Sequence, residues 1–163
     1  MILGMDWLTL IHVLISLVAI AAGLVLLVAL MGGRNPQNWA GRFLLWTILT
    51  SVTGFFFPVT HLTPAQITGV ISLIALALAL YALYGRGLAG VWRGTYVVTV
   101  TLALYLNLFV LVIQSFQKIP PLRAIAPGNP PSGPAFMITQ LIVLLVLLLA
   151  GWKAFRTFKP MKF

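Results

Sequence analysis

The chain has no cysteine and, in 163 residues, a single acidic side chain, Asp6. The first absence excludes thiol redox chemistry, disulfide exchange and thiolate metal sites, and leaves cysteine usage silent on the compartment. The second is more restrictive. No Asp or Glu lies inside any apolar run, so there is no carboxylate pair for acid–base catalysis and no intramembrane carboxylate for a proton relay or a coupling cation. The HExxH and GxSxG patterns and a phosphate-binding glycine loop are also missing. Gly85-Arg86-Gly87 with Gly90 resembles such a loop only in composition and reads as a short cytoplasmic turn. Enzymatic activity is therefore not expected, and ion-coupled transport, including export of hydrophobic compounds, is the weakest of the functional options.

What fills the chain is apolar: 61% hydrophobic residues against 7% charged, with a mean hydropathy of +1.10. That much apolar surface cannot be hidden inside a water-facing globule. The expectation is one all-α integral membrane domain over residues 1–163, with lipid as its solvent. No Lys or Arg precedes the first apolar run, which is longer than the core of a secretion signal, so it reads as a retained helix. In a soluble protein the formal charge of +9 would suggest nucleic acid. Here the basic residues sit at the ends of apolar stretches, where anionic lipid headgroups are the partner and nucleic acid is not.

A helix needs about 20 apolar residues to cross the hydrocarbon core. Five spans are predicted: Trp7 to Met31, Phe43 to Phe57, Ala65 to Tyr84, Thr95 to Phe116 and Ala135 to Trp152. Pro58 limits the second, because proline disfavours helix in the residue before it and has no amide to donate. Thr63-Pro64-Ala65-Gln66 reads as a capping box with proline at the first helical position, opening the third. Gly32-Gly33-Arg34-Asn35-Pro36 closes the first, and Pro120 to Pro134, with six prolines, is expected to be a loop in water or against protein.

Lys and Arg are unevenly divided among the connections. Arg34, Arg42, Arg86, Arg93, Lys153, Arg156, Lys159 and Lys162 share one side, and Lys118 and Arg123 the other. The positive-inside rule then makes this a five-transmembrane-helix bundle with its N-terminus outside and its C-terminus cytoplasmic. Trp39, Trp92 and Trp152 fall near the cytoplasmic interface and Trp7 near the outer one, as an aromatic belt requires. No internal repeat of the kind found in inverted-repeat transporters is visible.

Polar side chains inside lipid are costly, so those recurring on a helical face are informative. His12, Ser16, Ala19 and Gly23 share a face of the first span; Thr47, Thr50, Ser51, Gly54, Pro58 and His61 one of the second. Tyr96, Thr99, Ala103, Asn107, Gln114 and Gln117 share one of the fourth. Small and hydroxyl-bearing stripes are explained by helix packing, since small residues let backbones approach and hydroxyls bond across or back to their own turn. Depth distinguishes the remainder. At about 1.5 Å per residue, His12 and Gln114 lie about 10 Å to the outer side of mid-span, Gln140 about 6 Å, and Asn107 near the middle. His61 ends the second span, and Ser72 and Gln66 belong to the outer half of the third.

His12, Ser16, His61, Asn107, Gln114 and Gln140 are accordingly the candidate ligand-binding residues, with His12 and Gln114 expected to face the interior. The ligand expected is a lipid or a quinone. Alternatively, His12 and His61 could ligate a haem b iron or touch a quinol; otherwise the same groups make structural hydrogen bonds. The outer loop from Lys118 to Pro134 reads as a stiff connector, or as a lid bringing Lys118 or Arg123 to an anionic headgroup.

The segments Thr50-Ser51-Val52-Thr53-Gly54-Phe55 with Phe57-Pro58, then Ala103-Leu104-Tyr105-Leu106-Asn107 with Phe109 to Val112 and Gln114, then Phe116-Gln117-Lys118 with Pro120 and Leu122, resemble a group of small uncharacterised bacterial inner-membrane proteins. The resemblance implies a bacterial inner membrane and carries over no catalytic residue. The resulting expectation is a non-catalytic bundle that holds an amphiphile in its outer half or serves as an accessory subunit, alone, as a homo-oligomer or in a larger membrane complex.

Overall fold

The computed structural model describes residues 7–34, 36–57 and 64–160, and every regular element among them is helical. In chain order these are α1 (Trp7–Met31), α2 (Gln37–Gly54), α3 (Pro64–Leu80, continued by a wider π turn over Tyr81–Gly85), α4 (Val91–Lys118), α5 (Pro120–Ile125) and α6 (Pro134–Thr157). Four helices are long and apolar enough to cross a membrane: α1, α3 with its π turn, α4 and α6, of 22 to 28 residues. At 1.5 Å per residue that is about 33–42 Å, against a hydrocarbon core of about 30 Å.

Hydropathy marks the edge of the hydrocarbon, whereas caps mark the end of a helix. The observed helices therefore overrun their predicted spans at the charged end. α4 starts at Val91, so that Arg93 is helical, and α6 continues through Lys153 and Arg156 to Thr157. The largest shift is in α2, expected over Phe43 to Phe57. It begins at Gln37, carrying Gln37, Asn38 and Arg42 within its first turns, and stops at Gly54. Its polar start is why α2 is less apolar than its neighbours. Its end tightens into i→i−3 bonds, with the amides of Phe55 and Phe56 donating to the carbonyls of Val52 (3.1 Å) and Thr53 (3.2 Å). Pro58, His61 and Thr63 lie outside the described residues.

The stretch expected to be one loop contains α5. Pro120 and Pro121 occupy its first turn, where a missing amide costs no helical bond. Beyond it, the Ser132 amide and hydroxyl both donate to the carbonyl of Pro127 (3.2 and 2.8 Å), and Gln117 Nε2 donates to Asn129 Oδ1 (2.7 Å). The connector is thus tied to the end of α4, with Lys118 and Arg123 exposed.

α2 packs on α1 and α3, α3 on α4, α4 on α6 and α6 on α1, while α1 and α4 also meet across this ring. α4 buries ten residues, α6 only Leu147 and Ala154, so α6 is the peripheral member. Its exposed side chains are large and apolar, among them Ile138, Leu141, Leu145, Leu149 and Trp152, as suits a helix facing lipid.

Contacts at the helix ends sort the charges. Gly33 lies against the carbonyl of Thr157, Gly41 against the Tyr84 hydroxyl, and Arg93 against the last turn of α6. At the other end Gly54 lies against His12, Gly69 against Phe55, and the Phe116 and Phe136 rings meet edge to face. Arg34, Arg42, Arg86, Arg93, Lys153, Arg156 and Lys159 therefore share one end of the bundle, and Lys118 and Arg123 the opposite one. Lys162 lies outside the described residues.

Candidate functional site

The apolar centre is closed. Between Gly23, Leu27, Phe43, Thr101 and Leu104 there is no room for a water molecule. Chemistry is left to the polar side chains toward the end opposite the basic one, which fall into three links between helices rather than one cluster.

The first link joins α1 to α2. His12 is half-buried, with Nδ1 2.8 Å from Thr53 Oγ1 and its ring edge to face with Phe57 (centroids 5.2 Å apart). Thr53 Oγ1 also lies 2.7 Å from the carbonyl of Leu49 and 3.2 Å from that of Thr50. Carbonyls only accept, so the single hydroxyl proton of Thr53 goes to them. Satisfying every contact then requires His12 to donate its Nδ1–H to Thr53, which leaves Nε2 as the unprotonated nitrogen, an acceptor. Gly54 lies beside the ring, where a Cβ would stand 3.6 Å from His12 Cε1, an ordinary van der Waals contact. Ser16 turns back on its own helix, donating to the carbonyl of His12 (2.7 Å), so its proton serves packing.

The second link lies nearer mid-span. Asn107 of α4 donates through Nδ2 to the hydroxyl of the fully buried Thr47 on α2 (3.3 Å). The third joins α6 to α4, with Gln140 Nε2 donating to the main-chain carbonyl of Phe109 (3.1 Å). Gln140 Oε1 is buried and has no partner among the described residues, as is true of Ser72 Oγ and Thr101 Oγ1. A buried acceptor left unmatched costs about 1–3 kcal/mol; Thr101 lines the closed centre, so Gln140 Oε1 is where a donor from outside would be welcome.

Of the six residues read from the sequence, the structure brings Ser16 and His12 together through a main-chain bond and sets Asn107 and Gln140 in seams of their own. Gln114 is half-buried on α4, and His61 lies outside the described residues, so its pairing with His12 is not described. Among the described residues, no three His, Cys, Asp or Glu side chains meet to hold a metal ion.

Two partners escaped the sequence reading. Thr53 lies one residue off the Thr47–Gly54 stripe, and its only signal was its i+3 spacing from Thr50. The Phe109 carbonyl has no side-chain signature at all. No family model matches the chain, and neither a curated protein nor a solved structure is detectably similar to it.

Proposed function

We propose that the protein is a non-catalytic five-span bundle of the bacterial inner membrane, N-terminus outside and C-terminus cytoplasmic, that holds an amphiphilic molecule, a lipid or a quinone, in its outer half. Support for α2 as the fifth crossing is its course. Gly41 near its start meets Tyr84 at the basic end, and Gly54 at its finish meets His12 toward the other, so it runs from one end of the bundle toward the opposite one. Its polar first turns, with Arg42 stacked over Trp39 at 4.9 Å, suit a headgroup layer. Seven described cations against two at the other end support the orientation, and anionic headgroups are the partner of that basic face.

The observation that carries the ligand reading is the buried, unmatched Oε1 of Gln140 in the same half as His12, whose Nε2 is left as an acceptor. Both accept, so the molecule they suit carries hydroxyl or amide donors on an apolar body, as a lipid headgroup or the reduced, quinol form of a quinone does. The test is extraction and mass spectrometry of what co-purifies with the full chain in a mild detergent. An amphiphile retained by the wild type and lost from both His12→Leu and Gln140→Leu is the expected result. Equal retention by variants with unchanged helicity would reduce the polar links to packing, and a Soret band dependent on His12 would replace the amphiphile by haem b.

A further inference from the structure

Where the first turns of α4 pass the last turn of α6, the surface opens into a groove of about 460 Å3, a volume within the range of small-molecule sites, about 300–1,000 Å3. It lies at the basic end, away from the polar links described above. Val91 and Val98, 78% and 55% exposed, line it from positions about two turns apart on α4, and Phe155 lines it from α6. Two glycines shape it. A Cβ on Gly94 would stand 2.7 Å from Phe155 Cε2, so the bare position lets the ring lie against the α4 backbone. Gly90, at φ +55, holds a left-handed turn and faces open space.

Arg93 is the one charged residue lining the groove. Its Nη1 donates to the carbonyls of Phe155 (2.7 Å) and Phe158 (2.6 Å), and its Cζ lies 5.1 Å from the centre of the Phe155 ring. Those two bonds use both hydrogens of Nη1. Three N–H donors, on Nη2 and Nε, remain on the other edge of a guanidinium already fixed in place. Gly90 precedes α4 and offers no side-chain cap, so the first-turn amides add partial positive charge beside Arg93. No acidic side chain occurs among the described residues to compete for this cation.

We propose that this groove is a binding site for an anionic phospholipid, with the phosphodiester on the free edge of Arg93 and one acyl chain along Val98 and Phe155. A lipid, rather than a free phosphate, fits because the groove runs from the cation along apolar side chains of a membrane-spanning helix. Arg42, Arg86 and Arg156 also stack on aromatic rings at this end, but none of them lines this groove. The assignment rests on the reading that the basic end meets headgroups, and not on which leaflet supplies them.

The test is native mass spectrometry of the full chain in detergent micelles titrated with dioleoyl phosphatidylglycerol or dioleoyl phosphatidylcholine. Wild type should hold the anionic lipid about ten-fold more tightly than the zwitterionic one. Val98→Trp, which fills the groove from an exposed position, and Arg93→Gln should each weaken phosphatidylglycerol about ten-fold. Arg86→Gln should change it by no more than about two-fold, and excess glycerol 3-phosphate should not displace it. Unchanged binding by Val98→Trp overturns the site, and this arm decides the matter if Arg93→Gln fails to fold. Equal losses in Arg86→Gln and Arg93→Gln would mean diffuse attraction, and displacement by glycerol 3-phosphate a small-anion site; either also overturns it. Retention in the outer half is read on His12 and Gln140 at the opposite end, so failure of one proposal leaves the other standing.

Discussion

Gly23 and Phe43 are fitted to each other: a Cβ on Gly23 would stand 2.7 Å from Phe43 Cε2 and, on its other side, 2.8 Å from Leu104 Cδ1. Phe43 is 0% exposed and Leu104 1%, so neither has space to retreat into. The missing side chain is what lets α2 and α4 close on α1 at one level. Gly23→Ala should therefore destabilise the bundle by about 1–3 kcal/mol through overpacking. Ala21→Leu, on the exposed face of the same helix, should stay within about 0.5 kcal/mol of wild type. Thermal unfolding in mild detergent, followed by circular dichroism, separates the two.

The His12–Thr53 link fixes a tautomer as well as a contact. Thr53→Val keeps the shape of the side chain but removes the acceptor of the Nδ1–H, stranding a half-buried donor at a cost of about 1–3 kcal/mol. The ring 15N shifts of His12 should report the Nδ1–H form in the wild type and lose that preference in the variant, and Thr53→Ser should restore it. A wild-type spectrum of the Nε2–H form would reverse the assignment of donor and acceptor.

Arg93 holds the end of α6 through the carbonyls of Phe155 and Phe158. Hydrogen bonds from a charged group are worth about 1.5–3 kcal/mol when buried, and the partial exposure of this one reduces that to about 1 kcal/mol. In Arg93→Met the amide of Phe158, which donates to Ala154 at 2.8 Å, should exchange with solvent about five-fold faster. Amides in the middle of α6 should not change, and hydrogen exchange with mass spectrometry resolves the two regions.

Because the chain has no cysteine, single cysteines report topology without background. Ala89→Cys lies between α3 and α4, and Ala124→Cys in α5; both positions are exposed. With five crossings and the stated orientation, a membrane-impermeant maleimide should label Ala124→Cys in intact cells and Ala89→Cys only after permeabilisation. The reverse pattern would invert the bundle, and labelling of both from outside would remove a crossing.

Much of the architecture was legible before any coordinates. The run from Trp7 to Met31 coincides with α1, Pro64 does open α3, and the sorting of basic residues to one end follows from alternating spans. The candidate site was legible only as a set of depths. Depth accumulates along a helix at about 1.5 Å per residue, so an error of one residue matters little. Direction does not forgive in this way, because one residue turns a helix by about 100°. That is why Thr53 was overlooked beside Gly54, whereas Ser16, on the face of His12, spends its hydroxyl on its own backbone.

Solvent and polarity of ends thus belong to the amino-acid sequence, because transfer free energies and headgroup attraction sum residue by residue wherever the helices stand. Which groups answer one another does not. The pairing of His12 with Thr53, of Gln140 with the Phe109 carbonyl and of Arg93 with the last turn of α6 depends on the rotation of each helix about its axis and on the distance between axes. Those are set in part by where Gly23 and Gly94 let neighbours approach, and no one-dimensional property of the chain contains them.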